Sequence, residues 1–190
     1  MKLTPLGIKG AWLAELPVWS DDRGFFREWF KREEIYTKTG LDFPVNQANI
    51  STSKKGVIRG IHYSLAPNSQ AKWITCVGGS IKDVIVDIRP QSPTFKKVEY
   101  VNMSAGDGKC VLIAAGLGHG FISLEENSSI SYLLSSSYSP EFEFGISPFD
   151  IDLNINWGES KAVSIISTND KNAPSLRHQE ILKKLPNEPE

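Results

Sequence analysis

Hydrophobic and polar positions alternate in many short segments of the chain, and glycine, proline and asparagine residues separate these segments. Alternation with a period of two places every second side chain on one face, which is typical of strands. Short strands at regular spacing, with few helical patterns between them, favour an all-β sandwich or barrel. The predicted strands are Trp12 to Val18, Gly24 to Phe30, Val45 to Ile50, Val57 to Tyr63, Lys72 to Val77, Ile81 to Ile88, Lys96 to Asn102, Cys110 to Ala114, Gly120 to Leu124 and Ile130 to Leu134.

Helical periodicity is confined to two segments, Lys31 to Tyr36 and Pro174 to Lys184. No linker, internal repeat or low-complexity segment divides the sequence. A chain of 190 residues, of which 40% are hydrophobic, lies within the size range of one domain, which extends to about 250 residues. We therefore predict a single domain over residues 1–184 and a solvated polar tail at residues 185–190.

The dipeptide Gly78-Gly79 lies between two predicted strands and predicts a two-residue hairpin turn. In that register Lys72 lies opposite Ile85 and becomes a diagonal neighbour of Asp83, which would allow an ion pair. A lysine on this face points either into water or into a cavity. Residues of like parity on other predicted strands would either line that cavity or pack in the core; they are Gln47, Asn49, Tyr132, Leu134, Ser136 and Tyr138.

Charge and composition narrow the classes of function. The 21 Lys and Arg residues nearly balance the 22 Asp and Glu residues, giving a formal charge of −1, and no basic block is present for nucleic-acid phosphates. The N-terminal segment resembles no signal peptide, and no apolar run is long enough to span a bilayer. We expect a cytoplasmic protein without nucleic-acid or membrane partners. Cys76 and Cys110 are expected to be buried thiols, with a single bridge as the alternative.

The three histidines are His62, His119 and His178. His62 follows Arg59 by three positions, so a regular strand places them on opposite faces unless Gly60 forms a bulge. Together with Lys72, they would suit acid/base chemistry on an anionic substrate that carries a carbonyl group. His119 lies between two glycines and fits either a phosphate site or a structural turn. The third histidine lies in a charged segment and is expected at the surface.

Other kinds of site find little support in the sequence. No second histidine lies near His62 and no Cys/His cluster has ligand spacing, so we expect no metal. The phosphate loop and the dinucleotide fingerprint are both missing, and we expect no cofactor. A Ser/His/Asp hydrolase is compatible with the composition, but the sequence contains no nucleophile elbow.

Taken together, a series of motifs resembles the dTDP-4-dehydrorhamnose 3,5-epimerase family of nucleotide-sugar epimerases. The resemblance extends in order over most of the chain. It implies a cupin-type jelly roll without a metal, and a homodimer in which an N-terminal strand crosses to the partner. The matching segments are Asp22 to Glu28, Gln47 to Ser51, Gly56 to Tyr63, Gln70 to Lys72, Asp83 to Arg89, Ser92 to Phe95, Gly118 to Phe121, Tyr132, Tyr138 to Glu141, and Asn169-Asp170.

The resemblance also implies a reaction and its catalytic residues. A ketone at C4 of a hexose acidifies the hydrogens on C3 and C5, so that a base can remove one and reprotonation from the other face inverts the carbon. By resemblance His62 is the base, Asp170 holds its tautomer and Tyr132 is the acid on the opposite face. Lys72 would stabilise the enolate oxygen, and Asp83 would keep that lysine charged.

By the same resemblance, Arg59 and His119 suit the diphosphate oxygens and Tyr138 would stack on thymine. An ion pair with a carboxylate is the structural alternative for the arginine. Two residues of the set, Arg23 and Glu28, are expected from the second subunit. The full set of implied substrate-binding residues is Arg23, Phe26, Glu28, Gln47, Asn49, Arg59, Lys72, Asp83, His119, Tyr138 and Glu143.

The chain departs from the family pattern near the site. Leu133 and Asn169 occupy positions where the family often has lysine, and Phe142 and Phe144 occupy positions where one branch or another has histidine. Two segments, residues 112–119 and 145–150, resemble the deoxysugar branch, of which some members epimerise only one carbon. The departures leave the base, the acid and the lysine in place.

We predict an isomerase that epimerises C3 and C5 of a dTDP-4-keto-6-deoxyhexose. A mono-epimerase acting on C3 or C5 alone and a 3,4-ketoisomerase are the alternatives within enzymes. A non-catalytic sugar-nucleotide-binding cupin is the alternative from another class. It would need neither His62 nor Tyr132 on opposite faces of a ligand.

Overall fold

The computed structural model describes residues 1–158 and 165–187. Each predicted strand overlaps an observed one, although the bounds differ by several residues. The helices are α1 (Arg32–Thr39), α2 (Thr168–Lys171) and α3 (Leu176–Ile181). The strands are β1 (Lys2–Pro5), β2 (Ala11–Glu15), β3 (Trp19–Asp21), β4 (Gly24–Phe26), β5 (Gln47–Ser53), β6 (Ile58–Ser64), β7 (Lys72–Gly78), β8 (Ser80–Asp87), β9 (Val98–Ser104), β10 (Lys109–Ile113), β11 (Leu117–Ser123), β12 (Ser128–Leu134) and β13 (Glu143–Gly145).

Two antiparallel sheets form the body of the fold. One has six strands in the order β1-β2-β10-β7-β12-β5, the other has five in the order β13-β6-β11-β8-β9, and β3 and β4 form a separate hairpin. Apart from the pairs β1–β2 and β8–β9, neighbouring strands in each sheet are not consecutive in the chain, as in a jelly roll. The prediction of an all-β, cupin-type jelly roll with a few short helices is confirmed.

The hydrophobic core consists of three layers. The inner layer lies between the sheets and includes Ile74, Ile85 and Phe121. The second covers the outer face of the five-stranded sheet with C-terminal residues such as Trp157. In the third, α1 packs on the outer face of the six-stranded sheet through Ile35. The predicted alternation of faces is therefore confirmed for β7 and β8, whose inward side chains meet between the sheets.

The predicted hairpin at Gly78-Gly79 is wrong. β7 pairs with β10 and β12, whereas β8 pairs with β9 and β11 in the other sheet. Both edges of each strand are thus occupied by other partners, and the glycine pair carries the chain from one sheet to the other. Gly79 has a φ of 62°, and a Cβ there would lie 2.7 Å from Ser128 Oγ, so this tight corner favours glycine. The predicted ion pair between Lys72 and Asp83 depended on this hairpin and is therefore wrong as well.

Several other boundaries differ from the prediction for local reasons. The strand predicted from Gly24 ends at Phe26. Beyond it, the carbonyl of Trp29 accepts a hydrogen bond of 2.7 Å from the Trp73 indole and does not join a ladder. The short helix α2 was not predicted. It begins where the Ser167 side chain accepts a hydrogen bond from the backbone N–H of Asp170, as an N-cap does.

The C-terminal region packs against the body of the fold. The carboxylate of Asp150 accepts hydrogen bonds from the backbone N–H groups of Leu153 and Leu176 and so joins two loops to α3. Leu185 and Pro186, expected in a solvated tail, are buried instead, because the leucine joins the outer core layer. Residues 188–190 of the expected tail lie outside the described residues. The domain boundary itself stays a prediction.

Both cysteines are free and buried, so the expectation of buried thiols is confirmed and the alternative of a bridge is wrong. Cys76 packs between the sheets, whereas Cys110 belongs to the layer beneath α1. Within residues 1–158 and 165–187, no helix has the length and apolar character needed to cross a membrane.

Candidate active site

A cavity of about 560 Å³ is lined by residues of both sheets and of α2. A smaller lobe of about 170 Å³ adjoins it, and His62, Lys72 and Tyr132 line both spaces. The larger space is lined by Gln47, Asn49, His62, Gln70, Lys72, Tyr132, Leu134, Tyr138, Pro140, Glu143, Phe144, Gly145, Asn169, Asp170, Asn172, Ala173 and Pro174. The smaller lobe adds Ser51, Arg59, His119, Phe121 and Ile130.

A bulge in β6 brings Arg59 and His62 to the same face, as predicted from Gly60. His62 lies opposite His119 and Arg59 lies opposite Phe121, so three steps along β6 match two steps along β11. Gly60 has a φ of 120°, and a Cβ there would lie only 2.5 Å from Gly120 Cα. The close approach of two glycines therefore permits the bulge, and the bulge turns both functional side chains into the cavity.

His62 forms a dyad with Asp170 of α2. The distance between His62 Nε2 and Asp170 Oδ1 is 2.6 Å, and the carboxylate side chain is nearly buried. Burial raises the pKa of Asp170, whereas the hydrogen bond and charge of His62 lower it. Hydrogen bonds from Ser167 and from the Gly60 backbone lower the pKa further, so it lies below its ordinary value. The ionised carboxylate accepts from Nε2–H and leaves Nδ1 as the basic atom toward the cavity.

Lys72 is a buried amine beside this dyad. It is 8% exposed, and the carboxylate of Glu143 is the charged group that acts on it. Burial lowers the pKa of Lys72, and the charge of Glu143 partly restores it. Burial likewise raises the pKa of Glu143, against the charges of Lys72 and His62. The ammonium group is thus poorly solvated and free to interact with an anionic oxygen in the cavity.

Tyr132 approaches the cavity from the other sheet. It lies on β12, opposite Asn49 of β5 and Ile74 of β7, whereas His62 lies on β6 of the five-stranded sheet. A molecule held between the sheets therefore meets an imidazole from one side and a phenol from the other. This arrangement can remove a proton from one face of a carbon atom and deliver one to the opposite face.

A row of hydrogen-bonded polar groups forms one rim of the larger space. The Gln47 amide donates to Asn49 Oδ1 over 3.0 Å, while Gln47 Oε1 accepts from the backbone N–H of Tyr138 over 2.8 Å. The Tyr138 ring is 60% exposed beside the cavity. An exposed aromatic ring at the mouth of a polar cavity is suited to stacking against a planar ligand group.

Some lining residues were missed by the sequence analysis. Gln70 is buried, and its backbone N–H donates to Ser64 Oγ over 2.8 Å. It faces the cavity two residues before Lys72, which is the first residue of β7. The side chains of Phe144 and Pro174 add apolar surface to the wall of the cavity. Gln70 lies in the segment Gln70 to Lys72 that matches the family, and Phe144 stands out as a departure from the family pattern near the site, whereas no sequence signal indicates Pro174.

His119 and Asp83 form a second histidine–carboxylate pair. The Nε2 atom of His119 lies 2.8 Å from Asp83 Oδ2, and the carboxylate is fully buried. Asp83 was expected beside Lys72, but it lies on β8 in the opposite sheet and bonds to the histidine of the neighbouring strand β11. Arg59, in the same lobe, donates to Ser53 Oγ over 3.1 Å. The structural alternative of a carboxylate partner for Arg59 is not found among the described residues.

Three of the predicted binding residues lie away from the cavity in this chain. Arg23 and Phe26 belong to the exposed β3–β4 hairpin, and Glu28 follows it. Arg23 pairs with Asp21, and the Phe26 ring is 65% exposed. In the described part of one copy, none of these side chains lines the cavity around His62, so the contribution of Arg23 and Glu28 from a second copy stays a prediction.

Comparisons with known proteins agree on one family. The family model described as dTDP-4-dehydrorhamnose 3,5-epimerase matches residues 5–178. The chain is 46% identical over 182 residues to a dTDP-4-dehydro-6-deoxyglucose 3-epimerase from a Streptomyces species, covering 96% of this chain and 92% of the relative. It is 40% identical over 186 residues to a dTDP-4-dehydrorhamnose 3,5-epimerase from Mycolicibacterium smegmatis, covering 98% of this chain and 91% of the relative.

Solved structures give the same result. A 3'-monoepimerase from Streptomyces bikiniensis, solved in complex with dTDP-quinovose, superposes with a TM-score of 0.92 at 44% identity. The match covers 96% of this chain and 92% of that one. Similarity of this extent, in sequence and in fold together, is far above what a shared fold alone would produce.

Proposed function

The chain belongs to the dTDP-4-dehydrorhamnose 3,5-epimerase family, and from that premise we propose that it inverts C3 of a dTDP-linked 4-keto-6-deoxyhexose. It is therefore an isomerase. The observation that carries the proposal is the placement of two proton-transfer groups. The His62–Asp170 dyad and the Tyr132 phenol reach one cavity from opposite sheets, which is what inversion by two proton transfers requires.

The reaction begins with removal of a proton next to the C4 ketone. Nδ1 of His62 takes the proton from C3, and the electron pair moves into the C4 carbonyl to form an enolate. Asp170 stabilises the imidazolium that results, through the hydrogen bond to Nε2. Lys72 stabilises the negative charge on the enolate oxygen, a charge that is greater in the transition state than in the substrate. Tyr132 then donates a proton to C3 from the other face.

The rest of the substrate is held by residues around this centre. Arg59 and His119, in the smaller lobe, bind the diphosphate oxygens, for which a guanidinium fork and an imidazolium are both suited. Tyr138 at the rim stacks on the thymine ring. The remaining polar contacts come from Gln47, Asn49 and Glu143. In the proposed homodimer, the hairpin of a second copy adds Arg23, Phe26 and Glu28.

Inversion at C3 is the step common to the relatives described above, since they include both 3-epimerases and 3,5-epimerases. The family resemblance predicts inversion at C5 as well, and the 40% identity to a 3,5-epimerase supports this second candidate. The 46% identity to a 3-epimerase supports C3 alone. One base can act at both carbons only if the sugar ring changes its position over His62 between the two steps.

The test is the configuration of the product. Wild-type protein incubated with dTDP-4-keto-6-deoxyglucose is expected to give a diastereomer with inverted C3, identified by proton coupling constants in NMR spectra. Inversion at C5 as well would establish the double epimerase. A product whose carbonyl has moved to C3 would establish a 3,4-ketoisomerase. Binding of dTDP without any product would leave only the non-catalytic sugar-nucleotide-binding protein, and would refute the proposal.

A further inference from the structure

A second carboxylate-backed imidazole lies directly beside the first. His119 on β11 is the ladder partner of His62 on β6, and the two rings face the same small lobe. In each ring Nε2 contacts a carboxylate oxygen. The distance is 2.6 Å between His62 and Asp170, and 2.8 Å between His119 and Asp83. The proposed proton transfers use only the His62 pair. The function of Asp83 is therefore a separate question.

Asp83 is the more deeply buried of the two carboxylates. Its side chain is 0% exposed, and His119 is its one side-chain hydrogen-bond partner in the described part of the chain. The other oxygen, Oδ1, is buried without a partner among those residues. A buried carboxylate without a compensating cation is costly. A proton on His119 would supply that cation.

The charges on the cavity side act in the opposite direction. Arg59 and His62 on β6 and Lys72 on β7 line the same lobe, together with the neutral phenol of Tyr132 on β12. A further positive charge on His119 is disfavoured beside two cations while the lobe holds no anion. A diphosphate in the lobe reverses this balance, because the ring then lies between two anions.

We infer that Asp83 is a positioning residue that makes diphosphate binding take up one proton from solvent on His119. Asp83 accepts from Nε2–H and thereby directs Nδ1 toward the ligand. In the neutral ring Nδ1 carries a lone pair, which repels a phosphate oxygen. In the doubly protonated ring it carries a proton and donates a charge-assisted hydrogen bond. The inference rests on the proposed function, since the diphosphate is that of the dTDP-sugar.

The measurement is the number of protons taken up when dTDP binds. Isothermal titration calorimetry is carried out in buffers of different ionisation enthalpy. The number of protons is the slope of the observed binding enthalpy plotted against the ionisation enthalpy of the buffer. At pH values from about 7.5 to about 9 the terminal phosphate is already ionised, because its second pKa is near 6. Wild-type protein is expected to take up a substantial fraction of one proton in this range.

Three variants assign the proton to the Asp83–His119 pair. Asp83→Asn is expected to bring proton uptake close to zero and to weaken dTDP binding by about tenfold or more, as loss of a charged hydrogen bond does. His119→Gln is expected to lower proton uptake and dTDP affinity in the same way without altering the buried carboxylate. If Asp83→Asn does not fold, the proton uptake of His119→Gln is the test. His62→Asn removes the neighbouring imidazole and is expected to retain the uptake.

The outcomes separate this inference from the proposed function. Proton uptake by wild-type protein that is lost in Asp83→Asn and His119→Gln, but kept in His62→Asn, would support the inference. Binding of dTDP by wild-type protein without proton uptake, or uptake that persists in His119→Gln, would overturn the inference alone. A complete lack of dTDP binding to wild-type protein would overturn the proposed function and the inference with it.

Discussion

Replacement of His62 by alanine is expected to lower kcat by about a thousandfold or more, within the range for loss of a general base. Among the described residues, His62 is the only basic side chain bonded to the Asp170 carboxylate, and water lacks the fixed position of the ring. The affinity for dTDP is expected to stay within about threefold of that of wild type, because Arg59, His119 and Tyr138, the residues proposed to bind the nucleotide, are unchanged. Steady-state kinetics and calorimetric titration with dTDP measure the two quantities.

Two further variants make this result interpretable. His178→Ala removes an exposed histidine of α3, outside the cavity, and is expected to leave kcat unchanged. His62→Asn keeps a donor for the Asp170 carboxylate and so avoids an unpaired buried charge; it is expected to be as inactive as His62→Ala. Equal losses of dTDP affinity and of turnover in both His62 variants would show that the ring holds the ligand and does not move a proton.

Replacement of Lys72 by methionine is expected to lower kcat by about a hundredfold to a thousandfold, the usual effect of losing a group that stabilises an oxyanion. Methionine has a similar length but no charge, so the enolate oxygen would lose its cation in a poorly solvated cavity. KM is expected to change little, since the ketone oxygen of the substrate carries much less negative charge than the enolate. Kinetic constants for wild-type and variant proteins test this expectation.

Protein stability provides the control for the lysine variant. A buried ammonium group is expensive to desolvate, so Lys72→Met is not expected to lower the thermal midpoint appreciably. Lys54→Met, at an exposed position, is the matched variant and should leave kcat unchanged. A raised KM with unchanged kcat for Lys72→Met would contradict the assigned role, because it would show that the amine binds substrate and transition state equally.

The periodicity of the sequence predicted which side chains point inward but not which strands are neighbours. Ile74 and Ile85 both face the inner layer, as expected. The predicted hairpin between their strands is wrong because alternation fixes a face and carries no information about the partner strand. In this fold both edges of β7 are taken by strands that come later in the chain, β10 and β12. Sheet pairing is decided by long-range packing, which a local pattern does not contain.

Part of the catalytic centre could be predicted from the sequence. Gly60 next to Arg59 indicated the bulge that aligns two functional side chains, because glycine permits such a backbone. The association of His62 with Asp170 spans 108 positions and followed only from the family resemblance. The partner of Asp83 was predicted wrongly, since it depended on the hairpin register. Gln70 precedes β7, so strand periodicity carries no information on its side chain, and only its place in the family-matching segment Gln70 to Lys72 pointed to it.

The central claim is that this cavity exchanges the hydrogen on C3 of a dTDP-4-keto-6-deoxyhexose with solvent. The direct test is incubation of wild-type protein with dTDP-4-keto-6-deoxyglucose in heavy water, followed by NMR measurement of deuterium at C3 and C5. Deuterium at C3 is the predicted result, and deuterium at C5 as well would extend the reaction to both centres. A hexose that carries no deuterium at either carbon, although dTDP binds, would contradict the account.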